Sequence, residues 1–513
     1  MSNLKSIRIE NLRSLTDTGN IELKPLTILV GKNSVGKSTF ARTFPLLRQT
    51  CEAQKKSPIL WYGRFVDFGD FQTALNKKNQ EKGISFSFSF TISYNEYCKI
   101  FGSSALVSKL FSKKIDSEDD LEEDIDASIK INIQNTENPQ YTINIELNND
   151  IIEIIIQPKN NKIFTTINKE IYSINEEEIY TIEQKELLPN ILLVPEKFLE
   201  NENIRSKYLK HLSYYIAHEN FIFPILVQNQ LDKYYDKEKY NELTLCIQKY
   251  LFKIKDFNLS EFQEFKIENK EIPALKNIFI ISKIDKIIDF FNKLISSYFK
   301  EVRYLEPLRA TAQRYYRKQD LAIDEVDSKG SNIAMYLAEH HQHEVLKKII
   351  KKHFDLEFIT ESTSGHITLN LILDHQVKEK INLADLGVGY SQLLPVILQL
   401  WSSVYNNKNN NQGCLVVEQP ELHLHPAYQA KIADVTVDIM NSLKENQQNY
   451  SFIYETHSPH FINRLGELIE NQELKKEDVQ ILIFDNSMYE TKIIESHFND
   501  NGTLNNWPFG FFL

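Results

Sequence analysis

The segment LTILVGKNSVGKSTFARTF, residues 26–44, constrains the fold of this chain more than any other. An apolar run leads into Gly31-x-x-x-x-Gly36-Lys37-Ser38, and a helix-forming pattern follows. A strand that enters a helix through such a loop presents backbone N–H groups and a helix N-terminus to a phosphate. The alternative is a chance glycine-rich turn, and the flanking strand and helix argue against it. The segment therefore predicts a phosphate-binding loop in an α/β fold.

Two side chains of this loop can bind a nucleoside triphosphate and its metal ion. Lys37 can reach the β- and γ-phosphate oxygens, and Ser38 can ligate Mg²⁺. The predicted nucleotide-binding residues of the loop are Gly31, Lys32, Asn33, Ser34, Val35, Gly36, Lys37, Ser38 and Thr39.

Composition excludes several classes of protein. The chain has 513 residues, of which 42% are hydrophobic, and a formal net charge of -11. That charge argues against a surface that coats nucleic acid indiscriminately. The four cysteines show no CxxC spacing, so neither a disulfide framework nor a zinc knuckle is indicated. We find no signal-peptide pattern and no apolar run of membrane-spanning length, and we expect a cytoplasmic protein that does not enter a membrane.

Glycine placement divides the chain into three parts. None of the 15 glycines lies between Gly102 and Gly330. Strand and helix patterns of α/β type occupy both ends, and an Ile-, Asn- and Lys-rich segment separates them. We therefore predict an N-terminal lobe at residues 1–100 and a C-terminal lobe at 301–513. The insertion between them, 101–300, is expected to be strand-rich first and helical later, and the acidic run DSEDDLEEDID within it reads as a solvated loop or helix end.

Four short apolar runs alternate with helical patterns in the C-terminal part. They are HITLNLIL, GCLVVEQ, SFIYETHS and VQILIFD. Such runs are typical of buried strands, and we expect all four in a mixed, mostly parallel sheet with helices around it.

Two of these runs, and one further segment, supply other residues that a nucleotide site requires. Glu418 ends an apolar run, where a carboxylate can hold Mg²⁺ directly or through water. His457 follows the next run and is placed to contact the γ-phosphate, unless it is a hydrogen-bonded strand-end histidine. In ADLGVGYSQLLP, two glycines and a serine open a helix and form an anion-binding end without a phosphate of its own. Gly389, Ser391 and Gln392 are therefore candidates to contact ATP held by a second subunit.

In this order the motifs resemble those of the ABC-type ATPase heads of the SMC, DNA-repair and overcoming-lysogenisation-defect (OLD-like) group. More narrowly, YLEPLRATAQRYY and the tail GTLNNWPFGFF are similar to a bacterial AAA-type ATPase family with a C-terminal domain of unknown function. This resemblance implies an ABC-type head that binds ATP and Mg²⁺, and a homodimer or higher homo-oligomer that encloses two ATP molecules.

The resemblance also implies a biological role. Relatives of the OLD type carry a C-terminal nuclease domain, and too few residues follow His457 for one here. ATPase subunits of anti-phage systems such as Septu and PARIS work beside a separately encoded effector, so we expect a nuclease or toxin partner and no nuclease activity of this chain alone. DNA is a further candidate partner. Two alternatives are a DNA-repair ATPase of SMC type and an ATP-gated scaffold with negligible hydrolysis.

Gln419 stands where ordinary ABC heads have the glutamate that polarises the attacking water. An amide cannot usefully accept a proton near neutral pH. Two mechanisms stay open at this stage. Gln419 orients water while the phosphate or a nearby carboxylate, with Glu421 the first candidate, takes the proton. Alternatively, turnover is slow and the ATP-bound dimer is a holding state.

Histidines and basic residues raise other hypotheses. We predict that SNIAMYLAEHHQHEVLKKIIKKHF forms one amphipathic helix whose histidines, His340, His341 and His343, lie on a solvated face rather than in a metal site. His423 and His425 lack a third ligand at matching spacing. A basic strip for DNA or an acidic partner competes equally with ordinary helix ends and surface pairs. Its members would be Arg303, Arg309, Arg314, Arg317, Lys347, Lys348, Lys351 and Lys352. The aromatic tail, with Trp507 and Phe509 to Phe512, is expected to pack on the C-terminal lobe.

Overall fold

The computed structural model describes most of the N-terminal third and most of the chain from residue 283 onward. The described residues are 3–55, 57–101, 124–134, 140–157, 162–174, 180–184, 187–193, 277, 280, 283–319, 323–340, 342–373, 379–405, 412–485 and 491–507. The chain forms two compact units. The first comprises Met1–Ser2, Thr91–Ile131 and Glu137–Asn292, and the second comprises Asn3–Phe90, Asn132–Thr136 and Lys293–Leu513. The three-part division of the sequence stays a prediction.

The secondary structure alternates strands and helices at both ends of the chain. The strands are β1 Asn3–Leu12, β2 Leu15–Asp17, β3 Ile21–Glu22, β4 Leu26–Gly31, β5 Ile84–Ile92, β6 Ile125–Gln134, β7 Gln140–Leu147, β8 Asp150–Gln157, β9 Lys162–Ile167, β10 Glu170–Ile174, β11 Tyr180–Gln184, β12 Pro189–Leu193, β13 Val302–Leu305, β14 Tyr316–Arg317, β15 Glu357–Thr363, β16 His366–Ile372, β17 Lys380–Asn382, β18 Gln412–Glu418, β19 Asn449–Glu455, β20 Val479–Asp485, β21 Lys492–Phe498 and β22 Leu504–Asn505. The α-helices are α1 Lys37–Glu52, α2 Phe71–Ala74, α3 Tyr94–Phe101, α4 Ile284–Phe299, α5 Ile333–His340, α6 Glu344–Phe354, α7 Val388–Tyr405, α8 Pro426–Glu445 and α9 Pro459–Glu470.

A seven-stranded sheet in the second unit carries the phosphate loop. Its order is β13-β18-β19-β4-β20-β21-β22. The pairs from β13 through β20 are parallel, whereas β21 is antiparallel to both of its neighbours. Strand β4 is buried at all six positions, as expected for a strand covered on both faces. Helices α1, α7 and α8 contact this sheet. The predicted α/β class with a mixed, mostly parallel sheet is confirmed.

One of the four runs assigned to the parallel sheet lies elsewhere. HITLNLIL forms β16, which pairs antiparallel with β14, β15 and β17 in a separate four-stranded sheet. Ser364 and Gly365 connect β15 to β16 with φ angles of 48° and 79°. Two consecutive residues with positive φ make a tight hairpin turn, which fixes the two strands as antiparallel neighbours. The prediction for this run was wrong because the turn signal was overlooked.

The single long helix predicted around the histidines is also wrong. The structure has two helices, α5 and α6, and His343 between them is extended, with φ −68° and ψ 112°. The N–H of His343 donates to the carbonyl oxygen of His340 over 2.8 Å and closes the turn. Glu344 then stands in the first turn of α6, where a negative charge favours a helix start. His341 lies outside the described residues.

The remaining strands are mainly antiparallel. In the second unit, β1 pairs with β2 and β3. Strands β6 to β10 follow one another in chain order across a sheet, and in the first unit β11 pairs with β12. Alternate residues of β6 and β7 are buried, the period expected for strands with one covered face. Residues 194–276, which include most of the predicted helical half of the insertion, lie outside the described residues. None of the described helices has both the length and the apolar character that crossing a bilayer requires.

Candidate functional site

The phosphate loop connects the end of β4 to the start of α1. Gly31 has a φ of 148°, and a Cβ there would lie 2.4 Å from the carbonyl oxygen of Phe484. No side chain caps the N-terminus of α1, whose N-cap is Gly36. The backbone N–H groups of the first helical turn are therefore left for a bound anion.

Lys37 is folded back over this loop. Its side chain is almost fully buried, and Nζ donates to the carbonyl oxygens of Gly31, over 2.8 Å, and Lys32, over 2.7 Å. Burial lowers the pKa of Lys37. The loop borders a polar cavity of about 230 Å³. The residues that line it are Ser14, Asn33, Ser34, Gly36, Lys37, Ser38, Thr39, Arg42, Pro307, Glu418, Gln419 and Glu455.

Two glutamates reach the cavity from neighbouring strand ends. Glu418 ends β18 and Glu455 ends β19, and the two are register partners in the parallel pair. Parallel strands bring their carboxyl ends to one edge of a sheet, so residues 37 positions apart meet there. The N–H of Gln419 donates to the carbonyl oxygen of Glu455 over 2.7 Å, and Gln419 has a φ of 46°. This hydrogen bond fixes Gln419 at the edge of the cavity.

Glu418 is held in an ion pair. Arg42 donates to it through Nε, over 2.7 Å, and through Nη2, over 2.8 Å. The hydroxyl of Tyr304 adds a third bond of 2.7 Å. Both carboxylate oxygens of Glu418 therefore have charged or polar partners within the protein.

Glu455 was missed in the sequence reasoning. It accepts a hydrogen bond of 2.9 Å from the Ser38 hydroxyl through Oε1, and Nζ of Lys37 lies 4.0 Å from the same oxygen. Its Oε2 is buried and has no hydrogen-bond partner among the described residues. Burial, assisted by the charge of Glu418, raises the pKa of Glu455 to about 7. The available signal was a carboxylate at the end of an apolar run, the same signal that drew attention to Glu418.

Glu421 and His457 are joined by the turn that follows β19. Glu421 accepts the N–H of His457 through Oε1 and the hydroxyl of Thr456 through Oε2, each over 2.8 Å. His457 is half-buried, and burial together with the charge of Lys37 lowers its pKa. Both oxygens of Glu421 thus organise the turn that carries His457 toward Lys37.

The GVGYSQ segment opens α7, as the glycines and serine predict. Ser391 is buried, and its hydroxyl donates to the carbonyl oxygen of Val388 over 2.7 Å. The side-chain amide of Gln392 is also buried and donates to the carbonyl oxygen of Arg309. Gly387 and Val388 are the exposed residues of this helix start, and Val388 is 49% exposed. Contact with a second subunit by Gly389, Ser391 and Gln392 stays a prediction. At the start of α7 the solvent-exposed surface comes from Gly387 and Val388.

The eight members of the proposed basic strip differ in their exposure to solvent. Arg309 is buried, burial lowers its pKa to about 10, and its guanidinium donates to the carbonyl oxygen of Glu418. Arg303 pairs with Glu325 and Arg314 pairs with Asp385. Lysines of α6 also have acidic partners: Lys347 with Glu344, Lys351 with Asp355 and Lys352 with Asp438. Arg309 is therefore unavailable to a surface strip, whereas Arg314, Lys351 and Lys352 are exposed. A basic strip built from the exposed members stays a prediction.

The histidines of the sequence analysis have structural contacts. The rings of His340 and His343 pack against Trp401, with centroid separations of 5.2 and 5.0 Å. His425 is the N-cap of α8, and its Nδ1 accepts the N–H of Ala427. Trp507 packs against the apolar core of the second unit, and Phe509 to Phe512 lie outside the described residues.

The cavity has the chemistry of a site for a nucleotide-bound magnesium ion. Mg²⁺ is usually held by one or two carboxylates, the substrate phosphates and several waters. Ser38, Glu418 and Glu455 contribute a hydroxyl and two carboxylates to the lining of the cavity, and one oxygen of Glu455 has no hydrogen-bond partner among the described residues. No group of three or more His, Cys, Asp or Glu side chains suited to a metal occurs in the described part of the chain. The donor set suits Mg²⁺ carried in with phosphates.

Sequence comparison identifies the family of this chain. Residues 3–462 match the family described as the AAA ATPase domain. The chain belongs to the AAA ATPase domain family. This AAA ATPase domain protein is an ATPase of the P-loop class, which implies nucleotide binding with a divalent metal. Comparison with curated protein sequences gives no match.

Comparison with solved structures finds SMC head domains among the matches. One is the head with an extended coiled coil bound to the C-terminal domain of ScpA, from Pyrococcus furiosus; identity is 12%, 96% of each chain is covered, and the TM-score is 0.34. Another is the head with a coiled coil and joint from Pyrococcus yayanosii, with 11% identity, 98% of each chain covered and a TM-score of 0.34.

Proposed function

We propose that this ATPase is a slow, nucleotide-gated switch. ATP binding joins two copies, and the ATP-bound form acts on a separately encoded nuclease or toxin in anti-phage defence. The main support for slow hydrolysis is the position of Gln419. It follows Glu418 directly and lines the cavity, so an amide stands where a proton acceptor would speed hydrolysis.

The side chains around the cavity suggest how hydrolysis proceeds. Lys37 and the N–H groups at the start of α1 neutralise the phosphates, and Gln419 orients a water toward the γ-phosphorus. Attack by the water forms a new P–O bond and breaks the bond to the β–γ bridging oxygen, which releases ADP. The water's proton passes to a phosphate oxygen, since the amide cannot take it. Magnesium would be held by Ser38 and a glutamate of the cavity, and it would neutralise developing charge on the phosphates.

Glu421 and His457 have positioning roles in this proposal. Glu421 has both oxygens engaged by the turn after β19, which makes it a poor proton acceptor. The same turn holds His457 near Lys37, where its imidazole can contact the γ-phosphate.

The dimer is supported by the exposed start of α7. Val388 is an apolar side chain with about half of its surface accessible. It adjoins Gly389 and Ser391, and in ABC-type heads, which this motif resembles, the corresponding residues face ATP bound to the other subunit. Ser391 is buried, so placing arginine there would damage the fold before it tested an interface. Val388→Arg changes only an exposed side chain.

Multi-angle light scattering tests the dimer. With saturating ATP the wild-type mass should double, whereas Val388→Arg should bind ATP with unchanged affinity and stay a monomer. The proposal is contradicted if the wild-type mass is the same with and without ATP, or if Val388→Arg still dimerises.

The defence role is supported by the resemblance of the motif set to ATPase subunits of anti-phage systems. Cells that carry this gene with its neighbouring genes should resist some phages, and Lys37→Ala should remove that resistance. Plaque counts that are the same for wild type and Lys37→Ala contradict a role for the ATPase in defence.

A further inference from the structure

The cavity contains two candidate carboxylates for one divalent cation, and their surroundings differ. We propose that Glu455, rather than Glu418, is the protein carboxylate that holds the cation of the bound nucleotide together with Ser38. This proposal rests on ATP being bound by the loop at residues 31–39, and it reassigns the metal-binding role that the sequence gives to Glu418.

Glu418 is already neutralised within the protein. A bidentate pair with Arg42, with bonds of 2.7 and 2.8 Å, satisfies both of its oxygens, and the hydroxyl of Tyr304 donates to one of them. A fork-shaped guanidinium pair of this kind is among the stronger hydrogen-bonded contacts of proteins. A cation that recruited Glu418 would have to displace Arg42 and bring a second positive charge beside it. Glu418 therefore acts as an anchor that joins β18 to α1.

Glu455 has the opposite environment. It is 4% exposed, and Oε2 has no hydrogen-bond partner within the described residues. A buried carboxylate oxygen without a partner costs free energy unless something else binds it. The other oxygen accepts the hydroxyl of Ser38 at 2.9 Å. Ser38 is the loop residue whose oxygen ligates the metal in P-loop proteins, so Glu455 already contacts a predicted ligand.

Backbone contacts hold Glu455 in place. Its carbonyl oxygen accepts the N–H of Gln419, and the N–H of the next residue, Thr456, donates to the carbonyl oxygen of Leu29 on β4. Strand β19 lies directly beside β4, whereas β18 is one strand further away. The carboxylate nearest to the phosphate loop in sheet order is thus Glu455.

The metal dependence of nucleotide affinity tests this assignment. Isothermal titration with a slowly hydrolysed ATP analogue would be carried out in MgCl₂ and again in EDTA, on wild type, Glu455→Gln and the matched variant Glu418→Gln. The glutamines keep the size of each side chain, and thermal melting checks that each variant is folded. Glu455→Ala serves as a second variant, and Ser38→Ala shows how loss of a metal ligand appears.

Wild type should bind the analogue more tightly in Mg²⁺ than in EDTA. Glu455→Gln should lose most of this difference, with affinity in Mg²⁺ reduced roughly ten- to a hundredfold, while affinity in EDTA stays the same or improves because a negative charge has gone. Glu418→Gln should keep the wild-type ratio. Loss of the ratio in Glu418→Gln alone, or equal loss in both variants, overturns the assignment. If the wild-type protein binds no nucleotide in either buffer, the ATP site itself is refuted. This outcome differs from one that overturns only the assignment of Glu455, because there the wild type still binds nucleotide.

Discussion

Two glutamates that end adjacent strands in the same register have opposite environments. Glu418 has Arg42 and Tyr304 as partners and is a neutralised anchor, whereas Glu455 has Ser38 and Lys37 beside it and an oxygen without a described hydrogen-bond partner. Residue type and strand position are identical, so the difference comes from neighbours in other elements. A carboxylate at a strand end is therefore a candidate ligand only until its partners are known.

Removal of the Lys37 side chain has the largest expected effect on ATP binding. Its positive charge lies near Glu455 and is the one predicted to contact the phosphates. Lys37→Ala should weaken ATP binding by about a hundredfold or more, in line with the loss of a charge-assisted phosphate contact. Equilibrium binding and ATP turnover measure it. Unchanged affinity would refute the role of the loop. Lys444→Ala is the control, since Lys444 does not line the cavity and pairs with Asp478.

Gln419 follows Glu418 and donates its N–H to the carbonyl oxygen of Glu455, and its substitution tests whether slow turnover is built into the site. Gln419→Glu should raise the ATPase rate at least about tenfold, because a general base is typically worth a hundredfold or more. Steady-state phosphate release measures the rate. No increase would show that Gln419 is not the brake, and a collapse of turnover in Glu421→Gln with the ATP-dependent dimer intact would instead assign the base to Glu421.

Substitution of Arg42 tests the anchor role of Glu418 through the stability of the fold. Arg42→Ala leaves buried Glu418 with Tyr304 alone and should lower the free energy of unfolding by about 2 to 3 kcal/mol, less than for a fully buried pair because Arg42 is partly exposed. Urea denaturation measures this change. The control is Arg464→Ala, because its partner Asp434 is more exposed than Glu418, and loss of that pair should cost no more than about 1 kcal/mol. Equal losses in the two variants would contradict the anchor role.

The smallest expected effect is a pH dependence of stability that arises from Glu455. The pKa of Glu455 is raised from 4.5 to about 7, so between these values the folded state binds more protons than the unfolded state. Stability therefore falls as pH rises through this window. Without nucleotide, Glu455→Gln should melt at the wild-type temperature near pH 4.5 and a few degrees higher above pH 7, where about 1 kcal/mol shifts the midpoint by a few degrees. A melting difference that is independent of pH contradicts this account.

Local motifs in the sequence predicted much of the second unit. The phosphate loop, the start of α1 at Lys37 and the buried strands β18, β19 and β20 follow from short contiguous patterns. Errors arose where a local pattern admitted two structures. The run HITLNLIL suits a strand of either sheet, and only the hairpin turn before it decides which. The helix pattern around the histidines continues through His343, although the chain turns there.

The sequence alone determined that the chain has a P-loop, because a strand, a loop and a helix in succession are specified by neighbouring residues. Only the tertiary structure decided which glutamate is anchored and which is left for a ligand. Ser38 and Glu455 are 417 positions apart, and Arg42 and Glu418 are 376 apart. The order and register of the parallel strands bring these pairs together, and no local pattern encodes that order. Side-chain partners across a sheet are therefore a property of the fold rather than of the motif.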